Sequence, residues 1–200
     1  MPEPALLTDR FDRALLYATH VHGGQKRKGT QVPYLAHLLA VAATVLEYGG
    51  NEDLAIAALL HDAVEDQGGR PRLDDIANRF GPRVAAVVES CSDSFVATGG
   101  GRVKEDWKAR KDIYLTHLAK TDRDTLLVAL ADKIHNARSI LRDLRRPEIG
   151  AAIWDRFSRP KADSLWFYRR LAMVFRDRLP GQLAEELHEI VEALIVEPGL

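Results

Sequence analysis

Seven consecutive apolar residues, Leu54 to Leu60, run directly into His61 and Asp62, with Glu65 and Asp66 close behind. A second run of six, Leu126 to Ala131, ends in the same way at Asp132. A helix that is apolar on every side is buried. The pattern therefore delivers acids to the interior twice.

Around these runs the periodicity is helical. Alanine and leucine abound, β-branched runs are short and strict alternation is scarce, which predicts an all-α chain. Thr8 is placed to cap a first helix reaching Val21, with Phe11, Leu15 and Ala18 on one face and Leu7 as a hydrophobic staple. The stretch HGGQKRKGTQV breaks it. Pro33 suits the first turn of the next helix, YLAHLLAVAATVLEY, which Gly49 and Gly50 stop. A third helix begins near Glu52. Gly68 to Pro71 predict a break, followed by short helices over LDDIANRF and PRVAAVVESC that part at Gly81-Pro82. SDSFVATGGGRV is the longest irregular stretch. Helices resume near EDWKARKDIYLTHLA, run from Asp122 or Asp124 towards Pro147, and return over Ala162–Arg178 and Gln182–Val196. With no internal repeat or linker, the chain is expected to form a single domain over residues 1–200.

Composition narrows the function. With 46% hydrophobic and 28% charged residues, 200 residues suffice for a real core. A net charge of -1 argues against a surface built to neutralise nucleic acid or an anionic membrane, so an anionic ligand should be small. Cys91 is the only cysteine, which excludes a disulfide framework and a thiolate metal cluster. No apolar run approaches the roughly 18 residues of a membrane span, and the start of the chain lacks a leader pattern. A cytoplasmic protein is expected.

The interior acids need partners. An unpaired buried carboxylate costs several kcal/mol or takes up a proton, so Asp62 requires a cation, hydrogen bonds or a metal. Helical spacing sets Asp62, Glu65 and Asp66 near one another, and Asn136 one turn beyond Asp132. His37 is the one strongly polar group inside YLAHLLAVA. Two imidazoles, from His37 and His61, with two carboxylates, from Asp62 and Asp132, form a mixed set suited to Mn²⁺, Fe²⁺ or Zn²⁺. Each residue alone has a plainer role: His37 as a hydrogen-bonded core residue, Asp62 as a turn former, Glu65 and Asp66 as solvated acids. Repetition of the acid at the end of a fully apolar helix is hard to explain by solvation and sets the metal site level with these plainer roles.

These residues resemble the H…HD…D pattern of the HD-domain metal-dependent phosphohydrolases. GQKRKGTQVPYLAH, AALLHDAVED, FGPRVAAVVES and LADKIHNARSIL, in this order, further resemble the hydrolase domain of the RelA/SpoT alarmone enzymes. WDRFSRPKADSLWFYR is similar to the hydrolase-only small alarmone hydrolases, and the likeness covers about residues 8–178. It implies an all-α HD-domain helical bundle holding one Mn²⁺ on His37, His61, Asp62 and Asp132. Glu65 and Asp66 match the catalytic pair, Asn136 the asparagine that accompanies it, and Arg27 and Lys28 the nucleotide contacts. Lys161 stands near a basic phosphate-binding position. The implied reaction removes the 3′-pyrophosphate of guanosine tetra- or pentaphosphate, giving pyrophosphate and GDP or GTP. The sequence departs from the family form in a longer loop between Lys28 and Pro33, in Leu38 for a proline and in Gln67 for a threonine.

Other features carry less. Lys108, Arg110 and Lys111 in WKARK are further phosphate candidates, or surface charges beside a core Trp107. TGGGR lacks the Gly-Lys-Ser/Thr ending of a phosphate loop and reads as a flexible rim. His20, His22, His117 and His188 are expected to be structural, and His135 to face away from Asn136. Trp154, Trp166, Phe167 and Tyr168 suggest core packing or a dimer contact, with base stacking as the lesser alternative. Alternatives are hydrolysis of the adenosine analogue or another nucleotide, and a non-catalytic sensor or antitoxin partner. Oligomeric state stays open.

Overall fold

The computed structural model describes residues 7–92 and 106–197. They carry ten α-helices, one 3-10 segment and an isolated β-bridge, so the all-α expectation holds. In chain order the helices are α1 (Asp9–Val21), α2 (Leu35–Glu47), α3 (Glu52–Leu60), α4 (Ala63–Asp66) and α5 (Gly69–Phe80). α6 (Pro82–Cys91), α7 (Trp107–Leu118), α8 (Arg123–Leu144), α9 (Lys161–Arg178) and α10 (Gln182–Val196) follow. The chain divides into two compact units, Met1–Ala131 and Asp132–Leu200, and α8 crosses the division without a break. Of SDSFVATGGGRV and its expected rim, all but Ser92 lie outside the described residues.

In the first unit α3 is central and packs on α1, α2 and α6. All seven residues from Leu54 to Leu60 are buried, as the uninterrupted apolar run requires. Burying each leucine or isoleucine contributes about 2 kcal/mol. The Asn51 side chain caps the helix by accepting from the Leu54 amide at 3.1 Å. Thr8 caps α1, and its hydroxyl also donates to Glu52 at 2.7 Å, tying the starts of α1 and α3 together. Asp122 accepts from the amides of Asp124 and Thr125, both at 3.1 Å, and so opens α8.

Several local expectations are corrected. Leu7 is no staple: it is 45% exposed, because the position that would meet it one turn into α1 is Asp12. Pro33 lies outside α2, bridged to Lys26, with the helix beginning after Tyr34. The break at Gly68 to Pro71 is shorter than expected, since α5 starts at Gly69 and takes Pro71 into its first turn. First-turn amides have no partner within the helix, so a proline there costs nothing. A 3-10 segment over Gly150–Arg156 was not foreseen.

Gly49, at φ +83, ends α2, and Gly50 must follow it for a steric reason. A Cβ there would lie 2.4 Å from Val45 Cγ1 and 2.8 Å from the Val45 carbonyl oxygen. Gly50→Ala is expected to cost about 1–3 kcal/mol, as overpacking does. Thermal unfolding should show a midpoint several degrees lower; an unchanged midpoint contradicts the close approach.

In the second unit α9 packs on α10. Phe167, Tyr168, Leu171 and Phe175 of α9 are buried, as are Leu183, Leu187 and Val191 of α10. Trp154 is buried too, so core packing accounts for most of the aromatic region, while Trp166 is half-buried. The buried Asp143 accepts from Arg156 at 2.6 Å, which fixes the 3-10 segment against the end of α8.

Candidate metal centre and its surroundings

α3 ends at Leu60, and the acids that follow sit on a separate short turn, α4, rather than on the same helix. His61 is still in helical conformation at the end of α3, and Asp62 opens α4. His61 Nδ1 lies 2.8 Å from the carbonyl oxygen of Ala58. A carbonyl only accepts, so Nδ1 carries the proton and Nε2 is left with a lone pair. That is the orientation a metal-ligating histidine adopts when its other nitrogen is anchored.

His61 Nε2 is 2.9 Å and His37 Nε2 3.6 Å from the same oxygen, Asp62 Oδ2. Both imidazoles are buried, while 24% of the Asp62 side chain stays accessible, so the carboxylate forms the open side of the group. Tyr34 donates its hydroxyl to Asp62 Oδ2 at 2.5 Å and meets the His37 ring edge-on at 5.5 Å.

Asp132 stands at the end of the second apolar run, with only 5% of its surface exposed. Asn136 donates to its Oδ1 and Lys133 to its Oδ2, each at 2.6 Å. Ligand atoms of His37, His61 and Asp132 all lie within 4.8 Å of one another. Neutral imidazole nitrogens with carboxylate oxygens are the donors that Mn²⁺, Fe²⁺ and Zn²⁺ accept, so the residues fit a divalent metal.

Glu65 and Asp66 are both exposed. Ser92 donates to Glu65 at 3.2 Å, and Gln25 donates its amide to Asp66 Oδ2 at 2.7 Å. Although Asp66 as a residue is exposed, the protein around its carboxyl removes part of its hydration. This desolvation, with the nearby charge of Asp62, raises the Asp66 pKa above the ordinary carboxylate value, against the pull of the Gln25 hydrogen bond.

The basic candidates fall in different places. The loop before α2 closes on itself as a small hairpin, with Arg27 N donating to Val32 O and Tyr34 N to Gln25 O, both at 2.9 Å. It seats the Arg27 guanidinium over the Tyr34 ring at 5.6 Å, the same tyrosine whose hydroxyl holds Asp62. Lys28 is exposed at the hairpin tip. Lys108, Arg110 and Lys111 occupy the first turns of α7, where Lys111 lies 5.8 Å over a half-buried, not core, Trp107. Lys161, at the start of α9, lies 5.6 Å over Trp154.

Sequence reading missed Tyr34, Gln25, His22 and Lys133. Tyr34 stands three positions before His37, a spacing that shares a helix face and was the signal available. His22, expected to be merely structural, stacks on Tyr34 at 5.3 Å and bonds Gln25. His117 fits its expected structural role, with burial lowering its pKa and Thr121 at 3.2 Å from its Nε2.

Comparison with known proteins supplies the family. A sequence profile of the HD domain family matches residues 14–158. Guanosine-3′,5′-bis(diphosphate) 3′-pyrophosphohydrolase of Aquifex aeolicus (strain VF5) is 34% identical over 144 residues, 70% of this chain and 19% of that protein. The chain thus spans about a fifth of the length of this curated relative. The Drosophila melanogaster guanosine-3′,5′-bis(diphosphate) 3′-pyrophosphohydrolase MESH1 is 32% identical over 135 residues, 66% of this chain and 69% of MESH1. The solved structure of a metazoan ortholog of SpoT that hydrolyses ppGpp superposes with a TM-score of 0.72 at 24% identity, covering 94% of this chain and 97% of the other. No helix among the described residues is long and apolar enough to cross a membrane.

Proposed function

Since the chain belongs to the HD domain family and is a relative of MESH1, we propose that it hydrolyses guanosine tetra- or pentaphosphate at the 3′-pyrophosphate. Water enters the 3′-phosphoester, and pyrophosphate leaves together with GDP or GTP. The observation that carries this reading is the convergence of His37, His61 and Asp132, with Asp62 between the two imidazoles. These four residues would hold one Mn²⁺. When bound, the cation supplies Lewis-acid polarisation of a phosphoryl oxygen and a water of lowered pKa.

The chain's own residues do the rest. Glu65 and Asp66 orient the attacking water and move its proton. Asn136 and Lys133 fix both oxygens of Asp132, so that the carboxylate does not swing away from the histidines. Arg27, over the Tyr34 ring, offers a planar cation to a purine or a phosphate, and Lys28 a compact charge. Lys108, Arg110, Lys111 and Lys161 supply further positive charge for the remaining phosphates. The partner is a small nucleotide rather than nucleic acid.

The test is a substrate panel of guanosine and adenosine tetra- and pentaphosphates, with and without Mn²⁺, with product identification by ion-exchange chromatography. Pyrophosphate and GDP should appear from guanosine tetraphosphate only with the metal. Release from the adenosine compounds alone would move the specificity to adenine. No release from any of them, while a known hydrolase works alongside, would overturn the reading.

A further inference from the structure

We propose that His22 and Gln25 are positioning residues that aim the Asp66 carboxylate for the reaction above, an inference that rests on that reading. His22 is buried and closes α1. Its Nδ1 lies 2.7 Å from Gln25 Oε1. The same oxygen accepts from Gln67 Nε2 at 3.1 Å, and Gln25 Nε2 donates to Asp66 Oδ2 at 2.7 Å. This set permits one orientation of the Gln25 amide. Its oxygen takes two donors and its nitrogen faces a carboxylate, whereas the flipped amide would set oxygen against oxygen. Nδ1 of His22 must then carry the proton.

The choice of residue at position 22 supports a polar duty. His22 Nε2 is buried with no hydrogen-bond partner among the described residues, a cost that an apolar ring would avoid. What the imidazole adds is the Nδ1–H donor, together with a flat face for Tyr34 at 5.3 Å. Tyr34 in turn donates to Asp62. One buried residue thereby braces both sides of the centre: Asp66 through Gln25, and the Asp62 oxygen through the tyrosine ring. Gln67, which stands where the family form has threonine, clips the Gln25 amide to the end of α4, next to Asp66 itself.

Packing and positioning make opposite predictions here. His22→Phe keeps the ring on Tyr34 and loses the donor. His22→Asn loses the ring and keeps a donor, because its amide nitrogen falls near the place of Nδ1. With guanosine tetraphosphate and Mn²⁺, His22→Phe and Gln25→Met should each lower kcat about tenfold, with KM and Mn²⁺ affinity within twofold of the parent. His22→Asn should keep most of kcat, and the double variant His22→Phe with Gln25→Met should be no slower than Gln25→Met alone, since coupled residues are not additive. Full activity in Gln25→Met, additive losses, or a phenylalanine variant faster than the asparagine variant would overturn the assignment.

A second readout does not need turnover. In the full chain without paramagnetic Mn²⁺, ¹⁵N relaxation of the Gln25 side-chain amide should report a rigid group in the parent and in His22→Asn, and a mobile one in His22→Phe. An amide equally mobile in all three removes the brace. Should the parent hydrolyse no alarmone while this amide is rigid only with a donor at position 22, the proposed substrate fails and the brace stands.

Discussion

His61→Asn is expected to abolish metal binding and hydrolysis while leaving the fold in place. The asparagine amide keeps the hydrogen bond that His61 Nδ1 makes to Ala58 O at 2.8 Å, and only the Nε2 ligand is deleted. Changing a group that merely orients a ligand already costs about 10–100-fold in affinity, so deleting the ligand should cost at least about 100-fold, and the rate correspondingly more. A ligand that binds only the folded state raises the unfolding midpoint by mass action. The parent should melt higher with added Mn²⁺, and His61→Asn should melt alike with and without it. An equal metal-dependent rise in the variant would remove His61 from the metal site.

Replacing both acids, Glu65→Gln with Asp66→Asn, separates chemistry from binding. Both changes preserve shape, and neither residue belongs to the cluster of His37, His61 and Asp132. Loss of general acid-base assistance lowers rates by about 10²–10⁴, so kcat should fall into that range while Mn²⁺ affinity changes little. Single-turnover assays with isothermal calorimetry on the same preparation check both halves. A rate within tenfold of the parent would place the proton transfer on other groups. Undiminished neutralisation of a toxic nucleotide synthetase in cells by the slow variant would instead favour a nucleotide-binding or antitoxin role over hydrolysis.

What the sequence made legible lies where local pattern and burial coincide. The seven apolar residues before His61 have no polar face, so their helix had to be buried. The same logic carried Asp132. Tyr34 was harder, because the hydroxyl that holds Asp62 comes from 28 positions away. Gln25 reaches Asp66 across 41 positions, inside a loop whose three cations hid the neutral residue beside them. Contacts at such separations leave no period in the chain and exist only once α1, α2 and α4 are assembled. The end of α3 was also illegible. Nothing in AALLHDAVED marks Leu60 as its last residue, and the change to a separate turn comes from Asp62, whose backbone departs from helical values at φ -95 and ψ -5.

The burial of α3 also sets how the centre fails. Amides of Ile56 to Leu60, deep in the first unit with 0% exposure, should exchange with deuterium only when that unit opens as a whole, since core segments exchange at the global limit. His61 is the next residue, and its ring is tied back to Ala58 O. Fraying therefore stops short of His61, and the histidine side of the candidate centre is not expected to loosen by degrees on heating. It should persist to the unfolding midpoint and vanish there with the core, so that thermal inactivation and loss of structure trace one curve.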